Sequence, residues 1–171
     1  MSRHLLLLRH AKSDWSTDIS NDFDRPLARR GRKATRRMAV WLSQYRISPD
    51  YVVCSSAART RQTVELLYDT WTDPPTVEYR DDLYLADVAT MLTVLAGCGG
   101  DHSTVMLVGH NPGCEDLTRY LGQASDLGGT PEKLIPTGTC VHFEFDNDWP
   151  AISEHCATST MITRPRELSK S

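Results

Sequence analysis

His4-Leu5-Leu6-Leu7-Leu8-Arg9-His10 is an apolar run of strand length that stops at an arginine and a histidine. A strand covered on both faces reads as a continuous apolar run, whereas a half-exposed strand alternates. Charge directly after such a run marks the carboxyl end of a strand, where open α/β sheets hold their ligands. The same form recurs twice downstream. Tyr51-Val52-Val53-Cys54 ends in Ser55-Ser56 with Arg59 a little beyond, and Thr104 to Val108 ends in Gly109-His110-Asn111-Pro112.

Between these strands the apolar period becomes helical. From Arg29 to Tyr45, Ala34, Met38, Trp41 and Leu42 recur at helical spacing. Arg32, Lys33, Arg36 and Arg37 fill much of the remaining surface, which reads as a solvated face. Helices are expected from about Ala57 to Tyr68 and from Asp87 to Leu95, the latter closed by Gly97. A further one should start at an Asn111 N-cap with Pro112 in its first turn and reach about Leu121. Thr76–Tyr79, Val141–Phe145 and Thr158–Thr163 are short strands. Ala11 to Ala28 is a long polar connection of the kind that tends to be functional, and Gly122 to Pro136 is a second loop. The polar tail from Arg164 to Ser171 is expected to fray. With no internal repeat or linker, the alternation predicts one domain over residues 1–171, a three-layer α/β/α sandwich around a mostly parallel sheet.

Composition removes several classes of function. A net charge of −3 argues against a nucleic-acid binder acting through bulk charge. Five scattered cysteines without a C-x-x-C pair fit neither a disulfide framework nor a zinc site, and point to a reducing compartment. The apolar stretch in MSRHLLLLRH is too short for a signal peptide or a membrane span, so a cytoplasmic protein with no membrane partner is expected.

Three strand ends thus offer Arg9, His10, Arg59 and His110 to one crevice. Taken singly these residues are unremarkable. An Arg-His pair is most often a surface pair, Gly-His-Asn-Pro a capped helix start, and Arg59 a solvated helix residue. Their coincidence at strand ends is what matters. Arginine grips a phosphate dianion with two parallel charge-assisted hydrogen bonds, and neutral imidazole is a competent nucleophile near neutral pH. The helix start after His110 would add free N–H groups near a bound anion.

These residues also carry a family resemblance. Leu5–Ser13 resembles the strand and Arg-His-Gly signature of the histidine phosphatase superfamily, which has the phosphoglycerate-mutase-like fold. Ser55-Ser56-Ala57-Ala58-Arg59-Thr60-Arg61-Gln62-Thr63 is similar to its second block and Val108–Gly113 to its third. Asp24-Arg25-Pro26-Leu27 before Gly31, Pro136-Thr137-Gly138 and Thr163–Leu168 resemble the small SixA-type phosphohistidine phosphatases. The resemblance implies a metal-independent enzyme in which His10 accepts the phosphoryl group and water then hydrolyses the phosphohistidine. It implies that Arg9, Arg59 and His110 surround the equatorial oxygens, and that no cofactor takes part. The implied substrate is phosphohistidine on a protein such as a phosphorelay domain. A small phosphate ester is the alternative substrate, and a non-catalytic phosphate-binding module the alternative class.

Some positions depart from the family pattern. Ala11 replaces the usual glycine, and Ser16, a candidate phosphate contact, stands where many relatives have asparagine. A Leu-x-Glu acid is absent from Leu83-Tyr84-Leu85; Asp81, Asp82 and Asp87 nearby read as solvated or capping residues, any one of which could act as a general acid, with Asp81 and Asp82 the first candidates. The acidic residues Asp14, Asp18, Asp22 and Asp24 read as a solvated loop. Cys156 lacks the arginine that a cysteine phosphatase needs six positions on, where Ile162 stands, and there is no P-loop. His4, His102, His142 and His155 show no metal-ligand spacing and read as structural or surface residues.

Overall fold

The leucines of the first strand are all but inaccessible, with Leu5, Leu6, Leu7 and Leu8 exposed by 1% or less. Burying each contributes about 1.5–3 kcal/mol, which places this strand at the centre of the sheet. A computed structural model describes residues 1–16, 18–128 and 133–169. In chain order its strands and helices are β1 (Arg3–Arg9), α1 (Arg29–Tyr45), β2 (Tyr51–Ser55), α2 (Ala58–Tyr68) and β3 (Thr76–Arg80). Then follow α3 (Val88–Gly97), β4 (Thr104–Gly109), α4 (Gly113–Leu121), β5 (Cys140–Phe145) and β6 (Ser159–Thr163).

The strands form one six-stranded sheet in the order β3-β2-β4-β1-β5-β6. β3, β2, β4 and β1 are parallel, and β5 runs antiparallel to both its neighbours, so the expected mostly parallel sheet is the one observed. The alternation of the pleat sends Leu6 and Leu8 into a core that includes Met38 and Leu42 of α1 and Val64 and Leu67 of α2. Leu5 and Leu7 join the opposite core, with Met91 and Leu95 of α3 and Leu117 and Leu121 of α4. That is the three-layer sandwich.

The parallel register aligns the strand ends. Arg9 lies opposite Gly109, and Cys54 lies opposite Val108. The residues that follow, His10, Ser55 and His110, therefore leave the sheet side by side. Two glycines press helices onto this edge. A Cβ on Gly31 of α1 would stand 2.1 Å from the carbonyl oxygen of Lys12, and one on Gly113 of α4 would stand 2.1 Å from that of Ala86. Only glycine permits such backbone approaches.

Three expectations need correction. Asn111 does not cap α4; its Nδ2 donates to the Ile135 carbonyl, and the helix begins at Gly113 with the Cys114 N–H already bonded to the His110 carbonyl. The buried stripe of α1 is Gly31, Thr35, Met38, Ala39 and Leu42, with Ala34 and Trp41 half-buried at its margins. The tail from Arg164 does not fray as far as it is described. Pro165 is buried, Glu167 accepts the Arg164 N–H and pairs with its guanidinium, and Leu168 packs against the core beside α1. Part of the expected 122–136 loop and the last two residues of the tail lie outside the described residues.

Candidate active site

Arg9, His10, Arg59 and His110 line one pocket of about 360 Å3 at the carboxyl edge of the sheet. His10 emerges from β1 with its N–H on the Gly109 carbonyl, and the Gly138 N–H reaches the carbonyls of both Arg9 and His10. The Ala11 N–H donates to Thr63 Oγ1, while Gln62 Oε1 accepts the Leu27 N–H. The Gln-Thr pair of α2 thus fastens both ends of the polar connection that follows the strand.

The two histidines are held in defined states. His10 Nδ1 lies 2.7 Å from the Ala11 carbonyl oxygen, which can only accept, so Nδ1 carries the proton and Nε2 keeps its lone pair. Arg59 Nε donates to that Nε2 across 3.3 Å. Burial pushes the His10 pKa down to about 3, against the opposing hydrogen bond to the Ala11 carbonyl and with smaller help from neighbouring His110, Arg59 and Arg9. The ring is neutral at physiological pH. His110 Nε2 lies 2.8 Å from Ser55 Oγ, which also accepts the Ala57 N–H. The Ser55 proton is then free to go to Nε2, leaving the proton of His110 on Nδ1. That nitrogen is buried without a hydrogen-bond partner among the described residues. Burial, followed by the Arg59 charge, takes the His110 pKa to about 3 as well.

Arg59 is only 2% exposed and is held from the far side. Its Nη1 donates to the Asp22 carbonyl at 2.8 Å and its Nη2 to Asp22 Oδ2 at 3.0 Å. Tyr84 Oη also donates to Oδ2, at 2.6 Å, and Arg25 reaches Oδ1 at 2.7 Å. These donors, the Tyr84 hydroxyl first, hold the Asp22 carboxyl far below the ordinary carboxylate range. Asp22 is therefore part of the pocket, not of a merely solvated loop. Arg9 donates through Nη1 to the Ile135 carbonyl, and its buried Nε has no partner among the described residues.

Other residues behave differently from expectation. Ser16 does not line the pocket; its N–H and hydroxyl both bond Asp14 Oδ1 two residues back. Asp81 accepts the Ser56 hydroxyl and Asp82 pairs with Arg80, both away from the pocket. Asp87 caps α3 by accepting the Thr90 N–H, as expected. Among the described residues the pocket therefore has one carboxylate, Asp22. Lys12, Ser13, Trp15, Arg25, Leu85 and Asn111 also line it and were missed in the sequence. Lys12 and Ser13, directly after His10, were the most findable.

The histidines set aside as unsuited to metal include one grouping that could hold an ion. His4 Nδ1 lies 3.0 Å from His142 Nε2 and 3.7 Å from Glu144 Oε1, at the other end of β1 from His10. The grouping depends on the register of β1 with β5, which puts His4 opposite Glu144 and Leu6 opposite His142.

Residues 5–84 match the model of the histidine phosphatase superfamily (branch 1). The uncharacterized protein Rv1276c of Mycobacterium tuberculosis is 31% identical over 163 residues, covering 93% of this chain and 100% of that protein. A candidate phosphohistidine phosphatase SixA from Nakamurella multipartitia superposes with a TM-score of 0.80 at 31% identity, over 96% of this chain and 97% of that one. A candidate SixA from Agrobacterium tumefaciens gives 0.79 at 27% identity, over 95% and 99%. With its fold, motifs and relatives in agreement, the chain is a phosphatase of the histidine phosphatase superfamily, of the SixA type.

Proposed function

We propose that this phosphatase removes the phosphoryl group from phosphohistidine on a protein, through a phosphoenzyme at His10 and without a metal ion. The observation that carries the reading is the hydrogen-bond geometry at the His10 ring. With its Nδ1 proton held on the Ala11 carbonyl, the Nε2 lone pair faces the pocket beside Arg59.

In the first step the Nε2 lone pair forms a bond to phosphorus. The P–N bond to the substrate breaks, and its electron pair leaves on an imidazole whose other nitrogen already holds a proton. In the second step water attacks phosphorus and keeps its protons as dihydrogen phosphate, and His10 departs as the neutral Nδ1–H ring. Arg59, Arg9 and the Nδ1–H of His110 donate to the equatorial oxygens, where charge accumulates. A small phosphate ester is the competing substrate, and a pocket of about 360 Å3 would admit one. It would need a proton donor, which Asp22 cannot be while Arg59, Arg25 and Tyr84 keep it ionised. The phosphorelay partner and the cytoplasmic location belong to the same reading. Among the described residues, no helix is long and apolar enough to cross a membrane.

The test is to mix the protein with a phosphohistidine peptide, quench in base and map the label. Acid-labile phosphate on His10, and no turnover in a folded His10→Ala variant, are expected. Label on another residue overturns the mechanism, and a folded wild-type protein that turns over neither the phosphohistidine peptide nor p-nitrophenyl phosphate is a binding module. Activity should persist in excess chelator; dependence on an added divalent ion would remove the metal-free step.

A further inference from the structure

A groove of about 270 Å3 runs beside the catalytic pocket, lined by Lys12, Arg30, Arg37, Arg164 and Arg166 and by no carboxylate among the described residues. Lys12, Pro136 and Thr137 line both, so the two are continuous. Of the five cations, only Arg164 has an ion pair among the described residues, to Glu167 at 3.1 Å. Arg37 Nε is buried with no hydrogen-bond partner there.

The helix that forms one wall is built against its own stability. α1 carries Arg29, Arg30, Arg32, Lys33, Arg36 and Arg37 in its amino-terminal half and no acidic residue anywhere. Cations at a helix N-terminus oppose the helix dipole, and stable helices usually place carboxylates there. The chain as a whole has a net charge of −3, so this positive charge is segregated rather than general. The expectation of a merely solvated basic face misses that Arg30 and Arg37 line the groove.

We propose that the groove is a second anion subsite, which receives an acidic polypeptide segment flanking the phosphorylated histidine of the substrate protein. This rests on the phosphohistidine reading above. An extended partner is favoured over a single small anion because the cations are strung out. Arg30 and Arg37 stand seven residues apart on one helix, roughly 10 Å along its axis, and Arg164 and Arg166 lie on a separate segment. An acidic segment would replace the missing carboxylates and take the unused Arg37 donor.

The experiment compares p-nitrophenyl phosphate with two phosphohistidine peptides that differ only in glutamate or glutamine flanks. In wild-type protein at low salt, kcat/KM for the glutamate peptide should exceed that for the glutamine peptide by about tenfold or more, and the advantage should shrink with added salt. The double substitution Arg30→Glu/Arg166→Glu changes two exposed positions outside the catalytic pocket. It should abolish the advantage and leave p-nitrophenyl phosphate turnover within about twofold. Equal rates for the two peptides in wild type, or an advantage that survives the double substitution, overturns the subsite alone. Turnover of p-nitrophenyl phosphate with neither peptide hydrolysed overturns the phosphohistidine reading and the subsite with it.

Discussion

Arg59 donates to His10 through Nε and to Asp22 through both Nη groups, so one guanidinium ties the candidate nucleophile to a loop carboxylate. On the proposed mechanism, the group that would stabilise charge on phosphorus is thereby aimed before substrate arrives. Preorganised donors of this kind need no reorganisation as the reaction proceeds.

Replacing Arg59 with lysine keeps the charge and loses the fork. A lysine cannot reach His10 Nε2 and Asp22 together with planar geometry. The expected loss is roughly 10²-fold or more in kcat, the scale of removing one transition-state donor. Steady-state kinetics on an aryl phosphate would show it, and an unchanged rate would exclude Arg59 from the phosphate site.

Asp22→Asn should separate kcat from KM. The neutral amide weakens the clamp on Arg59, which lowers kcat by about tenfold. It also removes a negative charge facing the incoming dianion, so KM should stay level or fall. A rise in KM with kcat unchanged would show that Asp22 contributes to substrate binding and not to the aim of Arg59.

Gly31→Ala places a methyl group 2.1 Å from the Lys12 carbonyl oxygen, a contact that backbone must move to relieve. Overpacking of this kind costs about 1–3 kcal/mol, which lowers Tm by about 2–4 °C per kcal/mol in a chain of this size. Because Lys12 follows the proposed nucleophile by two residues, activity should fall more than the loss of folded protein explains. Calorimetry and kinetics on one preparation test both parts.

Most of the architecture could be read from the sequence because β1, β2 and β4 are apolar runs and α1 is periodic. Arg9, His10 and His110 were legible because each is joined to the end of such a run, and Arg59 because it opens the following helix. Asp22 was not, since it lies 37 residues from Arg59 on a loop whose path no periodicity fixes. Ser16 misled for the same reason: its hydroxyl satisfies itself on Asp14 through a local bond that competes with any pocket role. The His4–His142 contact required the pairing of β1 with β5, which sequence spacing does not reveal.

The buried histidines predict how stability depends on pH. His10 and His110 have folded pKa values of about 3, against about 6.5 in the unfolded chain. The folded state thus binds fewer protons, and the contribution is fully present above pH 6.5 and lost as pH falls toward 3. Between pH 7 and pH 5 each histidine should remove about 2 kcal/mol. Denaturant unfolding at the two pH values should therefore give a shallower loss for His10→Asn than for wild type. Equal losses would mean that His10 is charged, or becomes solvated, in the folded protein.

The leaving group is where Leu85 and Asp22 make a joint prediction. Leu85 occupies the position where the Leu-x-Glu pattern would have its acid, and it lines the pocket with a half-exposed aliphatic side chain. Asp22, the one carboxylate there among the described residues, is held ionised by Tyr84, Arg25 and Arg59 and cannot give up a proton it lacks. Alkoxide departure requires a proton in the transition state, and a positioned acid typically supplies ~10²–10⁴-fold. Imidazole needs none, because its second nitrogen is readily protonated near its ordinary pKa of about 6.5. The kcat/KM values should therefore fall steeply from phosphohistidine through aryl to alkyl phosphates. A series of phosphate esters with graded leaving-group pKa measures the slope. A flat series would mean that an acid acts after all, and Asp22→Asn would then identify it by steepening the slope. Asp81 and Asp82, engaged by Ser56 and Arg80, should leave the slope untouched when replaced.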